Sequence, residues 1–216
     1  MNIGAVIFDL DGTLWDVVNT TTVSANQIAE KHGLPEVNVD DVRRSMGQPR
    51  DGSAKMFFPY LPEPEALSLI DEVILHNVDN LFVLGGNLYP DLKDTMAILS
   101  KKYNLYIVSN TPEIRYIEAF LVTSGTKELF SGVYASGAAG ITKGETIKKV
   151  KNNFHPDKAV YVGDSVLDYY AANEADVPFI WADYGFGDVP EADHRISSLN
   201  ELPDVLDKLF NDIRGI

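Results

Sequence analysis

"AVIFDLDGTLWD", Ala5–Asp16, is the stretch on which the reading of this 216-residue chain turns. An apolar run, Ile3–Phe8, ends abruptly at Asp9 and Asp11, with Gly12 and Thr13 directly after. A short apolar run closed by turn residues reads as a strand buried on both faces, as in parallel sheets. In open α/β sheets, ligands bind in the crevice beyond the carboxyl ends of the strands. Two readings of the aspartates stand side by side. One is a solvated turn in which Gly12 supplies the bend. The other is a pair of like charges made tolerable by a cation or a shared proton.

Further along, Leu105–Val108, Gly132–Tyr134, Ala159–Val162 and Phe179–Trp181 read as further strands. Helical stretches lie between them, near Asp91–Lys102, Glu113–Ser124, Lys143–Asn153, Val166–Glu174 and Leu199–Ile213. This alternation predicts an α/β fold, a doubly wound parallel sheet of about five strands. Val17–Leu84 breaks the pattern, for no strand is legible there. Asn26–His32 reads as a helix end stopped by Gly33 and Pro35, Asp40–Met46 as a short helix, and Glu63–Phe82 as a longer one. A helical block of this size exceeds a crossover, which takes one helix. The expected organisation is a core of residues 1–14 and 85–216 with an inserted helical cap domain, 15–84. "LGGNLYP", ending at Pro90, is the return hinge.

Composition narrows the function. The chain carries 32 Asp and Glu against 18 Lys and Arg, a formal charge of −14. Phosphate backbones and anionic lipid repel such a surface, so neither nucleic acid nor membrane is an expected partner. With no cysteine, disulfides, thiolate nucleophiles and Cys-based zinc sites are excluded. No apolar run is long enough to span a bilayer, and the N-terminus lacks a basic segment before its acidic pair. The expectation is a soluble cytoplasmic protein, monomer or dimer.

Other strand ends carry polar groups too. "NLYIVSN" ends in Ser109 and Asn110, which alone read as a turn or helix cap. Lys143 opens a helix in "GITKGET", a poor place for a cation in the helix dipole, so it either faces an anion or is an ordinary surface lysine. "KAVYVGDSVLD" ends in Asp164, with Asp168 four residues on. Asp164 is a helix N-cap or a partner of Asp168 within one helical turn. Each bland reading is fair alone; together they require coincidence.

"DLDGT", "SN", "TKGE" and "GDSVLD", in this order, resemble the four signature motifs of the haloacid dehalogenase-like (HAD) hydrolase superfamily, over nearly the whole chain. The helical block resembles the C1 cap of its phosphoglycolate phosphatase and beta-phosphoglucomutase branch. The tail "YYAANEADVPFIWADYGFG" is similar to that of the phosphatases, with Asp176 where glycine is usual.

The resemblance implies a HAD/Rossmann-like core and a Mg²⁺-dependent phosphatase of small phosphorylated metabolites, with phosphoglycolate the leading candidate. Asp9 is then the nucleophile that forms an aspartyl-phosphate, and Asp11 the acid and base. The ion is held by Asp9, the Asp11 backbone carbonyl and Asp164. Asp168 orients that shell or pairs with Lys143. Ser109, Asn110 and the N–H groups after Asp9 hold phosphoryl oxygens, Lys143 offsets charge, and Thr13 fixes the Asp11 loop. In the cap, "SMGQPRDG" resembles the specificity loop, so Arg50 either grips a second anionic group or is a solvated arginine. Trp15 contacts the leaving group or packs the hinge. A hexose-phosphate mutase is the alternative, weakened because Thr21 stands near the place of the mutase histidine and His32 falls later. A receiver-like switch and a catalytically idle binding protein complete the set of readings.

Overall fold

A computed structural model describes residues 4–153 and 158–212. The expected ends of the first strand, Ile3, and of the last helix, Ile213, lie outside the described residues. Strand β1 (Ala5–Phe8) is flanked by β4 (Asn104–Ser109) and β6 (Ala159–Gly163), both parallel to it. Beyond β4 lies β5 (Gly132–Ala135); beyond β6 lie β7 (Phe179–Ala182) and β8 (His194–Ile196). The order β5-β4-β1-β6-β7-β8 reverses direction between β1 and β6, the topological switch point of a doubly wound sheet. The sheet has six strands, one beyond those read from the sequence. His194-Arg195-Ile196 carries a single buried apolar residue, Ile196, so no apolar run announced it.

The central strands are apolar throughout because both faces are covered. Val6, Phe8, Leu105, Ile107, Val160 and Val162 point into one core. Their neighbours Ala5, Ile7, Tyr106, Val108, Ala159 and Tyr161 point into the other, the period-two alternation of strands. Helices α5 (Leu92–Leu99), α6 (Ile114–Ser124) and α10 (Leu202–Asp212) send residues into the first core; α8 (Lys143–Asn152) and α9 (Val166–Glu174) supply the second. The short helix α7 (Ser136–Ala139) precedes α8.

Between β1 and β4 the chain forms α1 (Val18–Lys31), α2 (Val39–Ser45), α3 (Arg50–Phe57) and α4 (Glu63–Leu84). These helices bury Ala25, Ile28, Val42, Phe57, Phe58, Ile70 and Val73 in a third core of their own. Helix α3 replaces part of the loop expected in "SMGQPRDG": the loop ends at Pro49, which caps α3, and Ala54 and Phe57 anchor the helix. Entry and exit are tied by an antiparallel ribbon, β2 (Trp15–Asp16) with β3 (Asn87–Leu88). No described helix is long and apolar enough to cross a membrane.

Candidate active site

Asp9, Asp164, Ser109 and Lys143 converge because their elements end at one edge of the sheet. Asp9 follows β1, and its backbone N–H donates to Val162 of β6 at 2.8 Å. Asp164 follows β6, Ser109 closes β4, and Lys143 opens α8. Helix α8 starts there because Thr142 and Glu145 form a capping box. Gly144 lets it lie against α9, since a side chain would collide with Glu174.

Lys143 is buried, and its Nζ donates to Asp9 Oδ1 and to Asp168 Oδ1, both at 2.7 Å. Asp168 pairs with Lys143, as one sequence reading had it, and also accepts from the Tyr161 hydroxyl at 3.1 Å. Its other oxygen takes the N–H and hydroxyl of Ser165, the α9 N-cap. The cap is therefore Ser165, not Asp164. Asp164 is buried, and Oδ2 accepts from the Phe186 N–H at 2.7 Å. Gly12, at φ +82°, faces this carboxylate, and a side chain there would run into it.

Asp11 differs in kind. Its Oδ1 accepts from Trp15 Nε1 at 2.7 Å and from the Tyr116 hydroxyl at 3.0 Å, while Oδ2 has no partner among the described residues. The two oxygens of one carboxylate are thus in different surroundings. Trp15 is fully buried, edge-on to Tyr116 and Phe120, and does not line the cavity beside the carboxylates. Of the two sequence readings, the structure shows the hinge packing: Trp15 pairs with Leu88 and its ring lies against Gly86, while its N–H bonds Asp11. Tyr116 went unnoticed in the sequence. Thr13 holds the loop through its carbonyl, which accepts from the Tyr184 hydroxyl at 2.9 Å; its own Oγ1 is buried without a partner among the described residues. Of the N–H groups after Asp9, that of Gly12 is already bonded to Trp15 O. Ser109 and Asn110 line the cavity, and Ser109 Oγ accepts from Thr111 N at 3.3 Å. Arg50 lines it from above with its guanidinium bonded to Asp71, and His32 lies outside it, bonded to Glu72.

Electrostatics follow from burial. Asp9 is pushed up to about 7 by desolvation and the neighbouring Asp168, against the pull of Lys143. Asp11 is pushed up to about 6 by burial, against the bonds from Tyr116 and Trp15. Asp164 is raised well above the usual range by burial and the charges of Asp168 and Asp9. Burial alone would lower Lys143, yet the two carboxylates hold it firmly protonated. Carboxylate oxygens of Asp9, Asp164 and Asp168 lie within 4.8 Å of one another. One ammonium cannot neutralise this set. An all-oxygen donor group with surplus negative charge fits a hard divalent cation.

A family model of haloacid dehalogenase-like hydrolases matches residues 6–182. A Synechococcus elongatus protein named phosphoglycolate phosphatase is 30% identical over 189 residues, covering 85% of each chain. One of the same name from Haemophilus influenzae is 27% identical over 192 residues, 83% of this chain and 85% of that one. Among solved structures, a haloacid dehalogenase-like family hydrolase of Streptococcus pneumoniae superposes with a TM-score of 0.80 at 22% identity, over 94% of this chain and 98% of that one. At that identity the likeness concerns the fold.

Proposed function

The chain belongs to the haloacid dehalogenase-like hydrolase family, and from that premise we propose that it is a Mg²⁺-dependent phosphatase of small phosphomonoesters, working through a phosphorylated Asp9. The observation that carries this reading is the division of labour between two neighbouring aspartates. Asp9 Oδ1 is held by Lys143, a buried cation that favours its anionic, nucleophilic form. Asp11 is held on one oxygen only, and its value of about 6 suits a group that gives and takes a proton near neutrality.

The residues then act in order. Ser109 and Asn110 bind phosphoryl oxygens beside Asp9. Asp9 attacks phosphorus in line; the ester oxygen leaves and takes its proton from Asp11 Oδ2. Asp11, now a carboxylate, removes a proton from water, whose oxygen attacks the phosphorus of the acyl phosphate and frees Asp9. Lys143 holds Asp9 and Asp168 in place throughout. Asp9, Asp164 and the Asp11 carbonyl are the groups proposed to hold Mg²⁺, with Asp168 supporting. The ion supplies positive charge that lets a phosphate dianion approach a carboxylate. Helices α1–α4 serve as the cap that covers the site and selects the alcohol. A mutase is less well supported: Thr21 lines the cavity, and no histidine does among the described residues.

The test is hydrolysis of p-nitrophenyl phosphate with Mg²⁺ and with EDTA. Turnover that needs the ion, together with a hydroxylamine-sensitive phosphoryl adduct mapped to Asp9, is the expected result. Absence of turnover, or an adduct on another residue, overturns it.

A further inference from the structure

The cavity above the carboxylates measures about 400 Å³, within the range that encloses a whole small ligand. Its roof is apolar. Ile70, Val73 and Ile74 line it from one face of α4, spaced i, i+3 and i+4, joined by Phe57 of α3 and by Met46 and Pro49 between α2 and α3. Most polar side chains among them already have partners within the protein. Asn77 Nδ2 donates to Thr21 Oγ1 at 3.1 Å, Ser24 Oγ donates to Asn77 Oδ1 at 3.0 Å, and Ser45 Oγ donates to Val42 O at 2.7 Å. Gln48 and Ser53 are the roof side chains left, among the described residues, to bond a ligand hydroxyl.

Cationic groups are few. Lys143 is taken by Asp9 and Asp168, and Arg50 is the other cation on the wall among the described residues. Arg50 donates through Nε and Nη2 to the two carboxylate oxygens of Asp71, and through Nη2 to Leu67 O at 3.0 Å. Asp51 adds a second negative field at the guanidinium. The Nε–Nη2 edge that would clasp a second phosphate or a carboxylate bidentately is occupied by Asp71, which offsets the guanidinium charge and leaves only Nη1 without a partner among the described residues; Asp51 in turn lies 3.9 Å from Lys55.

We infer that the alcohol released is uncharged and carries an apolar body: the substrates are phosphomonoesters of neutral, apolar-faced alcohols, not of hydroxy acids or bisphosphates. The inference rests on the phosphatase reading. A carboxylate placed against Ile70, Val73 and Phe57 loses its hydration, and Arg50 offers it only Nη1 of a guanidinium already paired with Asp71. An apolar ring or chain there leaves water in proportion to its area. The relatives named for phosphoglycolate release an alcohol that bears a carboxylate, so the cavity sets this chain apart from what that name implies.

The experiment compares kcat/KM for p-nitrophenyl phosphate, phenethyl phosphate and phosphoglycolate with Mg²⁺. Phenethyl phosphate is expected to exceed phosphoglycolate by at least about tenfold, the scale of one charge left without a partner. Phosphoglycolate equal or superior, with p-nitrophenyl phosphate turned over, overturns the substrate class and leaves the phosphatase reading standing. No turnover of any ester overturns both. A second arm uses Asp71→Asn, which frees Arg50 at an exposed position. It is expected to raise kcat/KM for phosphoglycolate about fivefold, as one exposed ion pair exchanged for another allows, with phenethyl phosphate unchanged. A ratio that does not move refutes the role given to the Arg50–Asp71 pair.

Discussion

The floor and the roof of one cavity are built on opposite principles. The floor gathers Asp9, Asp164, Asp168 and Lys143 at strand and helix ends, all buried, most bonded to one another or to fixed backbone N–H groups. The roof presents mainly apolar side chains of α3 and α4, most of its polar groups satisfied internally and its ion pair exposed. Charge held in low dielectric acts strongly and tolerates little change. A surface pair such as Arg50–Asp71 contributes about 0–1 kcal/mol and is easily altered. On the proposed reading, chemistry belongs to the floor and selectivity to the roof.

The largest expected effect lies in the floor and splits it. Asp9→Asn removes the attacking oxyanion and abolishes turnover, a loss on the order of 10⁴-fold or more. Asp11→Asn keeps Asp9 and its bond to Lys143. With p-nitrophenyl phosphate, whose leaving group scarcely needs a proton, it is expected to release about one equivalent of p-nitrophenolate and then stall. The second step, lacking its base, falls by about 10²–10⁴-fold. Rapid quench and intact mass read the stalled phosphoryl adduct. Steady turnover at the wild-type rate would remove Asp11 from proton transfer.

Next in size is the metal. Asp164→Asn replaces a charged oxygen donor by an amide while keeping its shape. Mg²⁺ affinity, read by activity against free Mg²⁺ and by titration calorimetry, is expected to weaken at least about 100-fold. An unchanged Mg²⁺ dependence would assign the ion to other groups.

The same division decides what was legible in the sequence. Asp9, Lys143 and Asp164 stood out because a charge at the end of an apolar strand, or at the wrong end of a helix, is costly without a partner. Tyr116 did not, because a tyrosine on the apolar face of α6 reads as core until the fold brings it to an aspartate 105 residues away. Trp15 was noticed for its place after the loop, but that its buried indole N–H bonds Asp11 is set by how the loop folds back, which local sequence does not encode. The roof was legible only as part of a helical block, in which the α3 stretch reads as loop. Helix α3 begins Arg-Asp-Gly-Ser, a sequence of low helix propensity that tertiary packing of Ala54 and Phe57 overrides. That Arg50 faces Asp71 depends on how α3 lies on α4, which no local pattern encodes.

A smaller effect tests whether the floor extends to Tyr116. Tyr116→Phe keeps the ring and removes one hydrogen bond to Asp11 Oδ1. That bond lowers the Asp11 pKa, so its loss moves the pH limb governed by Asp11 upward. The accompanying fall in kcat is expected to be about tenfold, the scale of one hydrogen bond to a charged group. A loss of stability with an unmoved pH profile would make Tyr116 a packing residue only.

The smallest effect is thermodynamic and has opposite signs in the two regions. In the floor, Asp9 and Asp11 titrate near 7 and 6 when folded, both raised first by burial, and Asp164 is raised in the same direction. In the unfolded chain an aspartate titrates near about 4. Between these values the folded state binds more protons than the unfolded state, so the unfolding free energy falls as pH rises. Their contribution is fully present below the unfolded value and is lost as pH passes through 6 to 7. On the helices above the floor but outside the cavity, Glu72 is lowered by its bonds to Lys31 and His32, so its contribution is present above the unfolded value and disappears only as pH falls below it. Of these groups, those of the floor therefore set the slope over the interval from about 4 to about 7. Metal-free protein in EDTA is expected to lose a few degrees of Tm, about 2–6 °C, between pH 5 and pH 8. Because the proposed Mg²⁺ site uses deprotonated carboxylates, the ion is expected to raise Tm more at pH 8 than at pH 5. Differential scanning calorimetry at both pH values, with and without the ion, reads the four numbers. A Tm in EDTA that rises across this interval, or a Mg²⁺ increment independent of pH, would mean that the buried carboxylates do not carry the strain assigned to them.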